Sequence, residues 1–153
     1  MYKNILLTLL LSTSIFASMQ VGSEFENFKI KNQFEIEKSI TNKTKKVLFV
    51  FNKANGHIVK DYLATQKADY LDKKDILFVA DVSAMPSIIA WFVLPGLKDN
   101  KFSIIVLEDD EISKKYKTEK NEKKITLVYL DNKKITDIKY FDDKQLLKKY
   151  LEN

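Results

Sequence analysis

Two uninterrupted apolar runs of five residues, Val47–Phe51 and Ile76–Ala80, most narrowly restrict what this chain can fold into. A strand that is apolar at every position has no face to offer water, so it is rewarded only when both faces are covered. Between the runs, Ile58, Val59, Tyr62 and Leu63 follow Asn55-Gly56 at the spacing of one helical stripe. A strand, a helix and a second buried strand predict two adjacent parallel strands in a sheet covered on both sides.

The rest of the chain extends that unit. Phe28–Lys31 and Phe34–Ile40 alternate apolar with polar residues, as a short edge hairpin does. Ser83 is placed to cap a helix from Pro86 to Leu94, which Pro95-Gly96 ends. Phe102–Leu107 reads as a third buried strand, followed by acidic Glu108, Asp109, Asp110 and Glu111 and a short polar helix and loop over 112–124. Ile125–Leu130 and Lys134–Phe141 form a hairpin around Asp131-Asn132-Lys133. Asp142 or Asp143 then caps a last helix whose buried stripe is Leu146, Leu147, Tyr150 and Leu151. The expected fold is α/β, a three-layer α/β/α sandwich. Its central sheet is mostly parallel, with an N-terminal hairpin and an antiparallel C-terminal hairpin.

The first residues carry the order that a signal peptidase reads. Lys3 is a short positive start, Ile5–Leu11 is apolar apart from Thr8, and Ala17-Ser18 closes the stretch with small residues. That stretch is shorter than the roughly 20 residues a membrane-spanning helix needs. The expectation is a signal peptide over residues 1–17 and one domain over 18–153, periplasmic or secreted and not membrane-spanning after cleavage. The basic residues number 26 and all are lysine, with a formal net charge of +5. Nucleic-acid sites rely on the bidentate guanidinium of arginine, so nucleic acid is not an expected partner. The lysine-rich stretch Lys114, Lys115, Lys117, Lys120, Lys123 and Lys124 reads as a solvated loop.

Three stretches resemble the thioredoxin-like superfamily in its peroxiredoxin (AhpC/TSA) variant. Val21-Gly22-Ser23-Glu24-Phe25-Glu26-Asn27-Phe28-Lys29-Ile30 resembles that family's opening motif, with Glu26 where the family has proline. Lys45–Phe51 resembles the central strand that leads into the active-site helix, and Ile125–Ile135 resembles the C-terminal hairpin. The order of elements is also similar to the exported YtfJ-type branch. The resemblance implies a thioredoxin-like fold with its reactive position on the loop and first helical turn after the central strand. Here that region reads Asn52-Lys53-Ala54-Asn55-Gly56-His57, and the chain has no cysteine. The family's cis-proline would fall before the last hairpin, where Lys123, Lys124 and Ile125 stand. Thiol chemistry needs a thiolate, so no catalytic residue transfers and no thiol redox activity is expected.

Three groups of residues remain as candidates. Asn55, Gly56 and His57 lie beside a helix N-terminus, whose free N–H groups favour anions; the plain alternative for His57 is an exposed helix-start residue. Asp81 and Asp109 end neighbouring strands, where open α/β sheets bind ligands. A divalent cation is one reading of that pair; the other has Asp81 shaping a turn with Ser83 while Asp109 belongs to a solvated loop. Ile88, Trp91 and Phe92 lie in a helix apolar all round, which is either wholly buried or the surface for a protein partner or a homodimer. No cofactor is expected, since the glycine-rich dinucleotide motif is absent. Two functions follow: a cysteine-free binding protein, or an enzyme using Asp81, Asp109 or His57, such as a metal-dependent hydrolase.

Overall fold

The computed structural model describes residues 19–86 and 94–153. The expected signal peptide and the candidate interface residues Ile88, Trp91 and Phe92 lie outside the described residues. In chain order the elements are β1 (Lys29–Lys31), β2 (Glu37–Ser39), β3 (Lys46–Val50), α1 (Lys53–Ala64), α2 (Tyr70–Lys73), β4 (Ile76–Asp81), β5 (Ile105–Leu107), α3 (Asp110–Tyr116), β6 (Ile125–Asp131), β7 (Lys134–Phe141) and α4 (Lys144–Glu152). Residues 94–97 are also helical. The main sheet runs β5-β4-β3-β6-β7, and β1-β2 form a separate antiparallel pair.

The apolar runs behave as their composition demands. β3 and β4 pair in parallel, Leu48 opposite Phe78 and Phe49 opposite Val79. Val47, Leu48, Phe49 and Val79 are completely buried. Alternation splits these strands between two cores. One face carries Leu48, Val50, Phe78, Ile125 and Leu127 against Val59, Tyr62 and Leu63 of α1 and Leu147 and Leu151 of α4. The other carries Val47, Phe49, Val79, Val128 and Leu130 against Phe25, Phe28, Ile40 and Tyr116. The second core is aromatic: the Tyr116 ring stacks on Phe49 at 5.2 Å and on Phe25 at 5.5 Å. Its hydroxyl donates to Glu26 O at 2.9 Å, so the one polar atom of that ring is satisfied.

Several boundaries differ from expectation. Residues 94–97 are helical, so Pro95-Gly96 lies inside a helix and does not end one as expected. α1 begins at Lys53, so Asn55-Gly56-His57 lie inside the helix and not in a loop before it. Glycine is compatible with helical dihedrals; it lowers propensity without forbidding the helix. The third strand starts at Ile105, not Phe102, because the Gln33 side chain stands in for a neighbouring strand. Its Nε2 donates to Phe102 O and its Oε1 accepts from Ile104 N, both at 2.7 Å. The acidic stretch after β5 is not all loop. Asp109 caps α3 while Asp110 and Glu111 occupy its first turn, where negative charge is favoured. Lys114 and Lys115 therefore sit on a helix, not in the expected solvated loop.

The β6–β7 hairpin turns at Asn132 (φ 46°) and Lys133 (φ 68°), the positive-φ pair of a two-residue turn. α4 is held at its far end by lysines. Lys46 Nζ donates to Tyr150 O at 2.9 Å and Lys74 Nζ to Leu151 O at 3.0 Å, satisfying carbonyls that have no partner within the helix. Among the described residues no helix is long and apolar enough to cross a membrane.

Candidate functional site

The region that follows β3 is built around Asn52. Its backbone is extended (φ −149°, ψ 160°) and its Oδ1 accepts from Asn55 N at 2.9 Å, the geometry of a helix N-cap. Its Nδ2 donates to Glu122 O at 2.9 Å. One side chain thus both starts α1 and ties it to the segment entering β6.

The three residues expected to act together are separated by helical geometry. Asn55 is on the buried stripe with Val59, Tyr62 and Leu63, and only 4% of its surface is exposed. His57, two positions on, is exposed. Gly56 is half-buried, and a Cβ there would meet only the Val50 side chain at 3.9 Å. The Asn55 Nδ2 is buried without a hydrogen-bond partner. Leaving such a donor unmade costs about 1–3 kcal/mol. Asn55→Leu, close in volume and without the orphaned donor, is therefore expected to stabilise the protein by about 1 kcal/mol in thermal or urea unfolding. A loss of stability would show that the amide has a partner after all.

The carboxylates are engaged in structure. Asp81 Oδ1 accepts from Ser83 N at 2.9 Å and Oδ2 from Ser113 Oγ at 2.6 Å. Asp109 Oδ1 accepts from Glu111 N at 2.9 Å and Ile112 N at 3.0 Å. Asp81 thus shapes the turn with Ser83 and joins β4 to α3, while Asp109 begins that helix. Among the described residues no three histidine, cysteine, aspartate or glutamate side chains are grouped so as to hold a metal ion.

The structure adds a groove that sequence reasoning missed. About 640 Å³ of space lies between the β1–β2 hairpin, the edge of β5 and residues 94–98. Ile30 and Val106 line it, with Lys29, Lys31, Lys98 and Glu108 around them. An isolated antiparallel pairing of Asn32 with Ile105 joins the hairpin to β5. Nothing in the local pattern signalled it, because the groove depends on how a three-residue strand meets a sheet edge far along the chain.

No protein-family model matches the chain, and no curated protein matches it. Solved structures do. Peroxidoxin BcpB from Mycobacterium tuberculosis superposes with a TM-score of 0.57 at 11% identity, covering 88% of this chain and 95% of that one. The thioredoxin domain of a thiol-disulfide oxidoreductase from Bacteroides vulgatus gives 0.53 at 18%, covering 87% and 99%. StoA from Bacillus subtilis gives 0.52 at 18%, covering 82% and 96%. At such identities the likeness establishes architecture alone: the chain has a thioredoxin-like fold, and it contains no cysteine.

Proposed function

We propose that this is an exported protein that acts by binding rather than by thiol redox chemistry. The observation that carries the reading is Asn52. At the entry to α1, where the resemblance puts the reactive position, an amide caps the helix and bonds to Glu122 O. The groove beside β1 and β5 lies within the roughly 300–1,000 Å³ typical of ligand sites, and its mixed lining of apolar and charged groups suits recognition. The charged, apolar and small-residue order over residues 1–17 supports export.

Cell fractionation with N-terminal sequencing, run beside insulin-reduction and thiol-dependent peroxide assays, tests both halves. The expected protein starts at Ser18 or Met19 in the extracytoplasmic fraction and leaves both assays at blank. Intact Met1 in the cytosol would remove the export half. Turnover in a pure preparation would remove the other.

A further inference from the structure

Among the described residues the exposed large apolar side chains are Val21, Phe34 and Ile36. The last two flank Glu35 on the turn of the β1–β2 hairpin, Phe34 45% and Ile36 55% exposed. That turn is firmly held. Asn32 N–H donates to Ile36 O at 2.9 Å and Glu35 N–H to Asn32 O at 3.0 Å, closing a three-residue loop. Glu35 takes φ 63°, the left-handed conformation for which such loops favour glycine. The Asn32 Oδ1 accepts from Phe34 N and from Ile36 N, both at 3.0 Å, and its Nδ2 donates to Ser103 Oγ at 3.1 Å. Gln33 is tied down through Phe102 O and Ile104 N. Asn32 and Gln33 are themselves buried. Two buried polar side chains and one strained residue thus fix a turn that leaves its two apolar side chains exposed.

Lysines lie around this turn. Lys29 and Lys31 stand on β1 and Lys38 on β2. Lys98 lines the same groove as Lys29 and Lys31, and Lys101 precedes the Phe102 that Gln33 holds. The nearby acids are Glu35, Glu37 and Asp99, and Glu35 is already paired with Lys31 at 3.1 Å. The antiparallel pairing of Asn32 with Ile105 sends Glu108 and Asp109 back along β1, away from the turn. Lysine therefore outnumbers acid at the turn, as it does in the whole chain with its formal net charge of +5.

We propose that this turn docks the protein reversibly on a bilayer containing anionic lipid. Phe34 and Ile36 enter the boundary between headgroups and acyl chains, and Lys31, Lys98 and Lys101 meet the headgroups. Size decides against a protein partner. A specific protein interface buries about 800 Å² on each side, far more than two half-exposed side chains offer. A bilayer needs no matching surface. It takes up a few apolar side chains while flexible lysine stems carry their charges to the anionic headgroups. The docking is independent of any ligand in the groove.

Co-sedimentation of the purified full chain with vesicles tests the proposal, with circular dichroism confirming that each variant is folded. One set of vesicles mixes phosphatidylglycerol with phosphatidylcholine, and the other is phosphatidylcholine alone. The reading is the difference between the parent chain and Phe34→Ser with Ile36→Ser, since any binding by residues 1–17 is common to both. The double variant is expected to bind the anionic vesicles about tenfold more weakly or worse. The parent is expected to prefer those vesicles and to lose binding as salt rises. Phe34→Trp is expected to shift emission to the blue, relative to the unsubstituted chain, when anionic vesicles are added. A double variant that binds as well as the parent, binding that ignores lipid charge, or no emission shift overturns the proposal. Self-association without lipid that the same two substitutions abolish would assign the turn to a second copy, and overturns it too.

Discussion

Phe49→Ala is expected to cost about 3–5 kcal/mol of folding stability, the range for truncating a large buried aromatic residue. Phe49 is fully buried at the centre of the sheet. It pairs with Val79 on one side and Thr126 on the other, and its ring touches Phe25, Phe51 and Tyr116. Removing it opens a void bordered by three aromatic rings that are themselves held by neighbours, so little collapse can fill the space. Against a total stability of about 5–15 kcal/mol the loss is large. For a chain of this size it lowers Tm by roughly 10 °C or more. Phe34, 45% exposed at the tip of the β1–β2 hairpin, is the control. Its replacement by alanine is expected to stay within about 0.5 kcal/mol. Equal effects at the two positions would mean that Phe49 does not sit between the β4 and β6 neighbours described.

The second large effect is a loss of stability in alkali. Tyr116 is buried beside the Glu26 carboxylate, and burial first, then that charge, pushes its phenol well above the ordinary value. Burial and then the Tyr70 hydroxyl raise Tyr62 strongly, and burial also raises Tyr70, Tyr129 and Tyr140. A group whose folded pKa lies above its unfolded one contributes stability that is complete below the unfolded value and lost as pH rises through the folded one. For tyrosine the loss begins near pH 10. Lys46 works the other way, because burial and the nearby Lys74 lower its pKa, but it is one group against five. Stability is therefore expected to hold up to about pH 10 and then fall, with unfolding and phenolate absorbance rising together. Tyr116→Phe removes one contribution and is expected to move the alkaline midpoint upward while costing about 1 kcal/mol at neutral pH for the lost bond to Glu26 O. Phenolate absorbance that rises well before the fold is lost would show the rings to be accessible.

Much of this architecture is readable from side-chain pattern because burial on two faces leaves an unmistakable composition. Val47–Phe51 and Ile76–Ala80 announce central strands, and the stripe of Leu147 and Leu151 announces the last helix. What pattern does not reveal is long-range substitution of one polar group for another. Phe102 and Ile104 are apolar and buried like strand residues, yet their backbones bond to Gln33, about seventy positions away. The site suffered for the same reason. Asn55 and His57 are near neighbours in sequence, but helical rotation sends one to the core and the other to solvent. Asp81 ends its strand as expected, but its tie to Ser113 belongs to tertiary packing that no local spacing encodes.

The central claim is that a helix N-terminus follows the central strand, as the thioredoxin-like fold requires, and that it carries no thiol. Lys53 is the exposed first residue of α1, beside backbone N–H groups that lower the pKa of a thiol placed there. The measurement is the pH titration of the single cysteine in Lys53→Cys, followed by thiolate absorbance or alkylation rate. The account predicts a pKa clearly below the roughly 8.5 of a free cysteine. A thiol titrating at or above that value would contradict it.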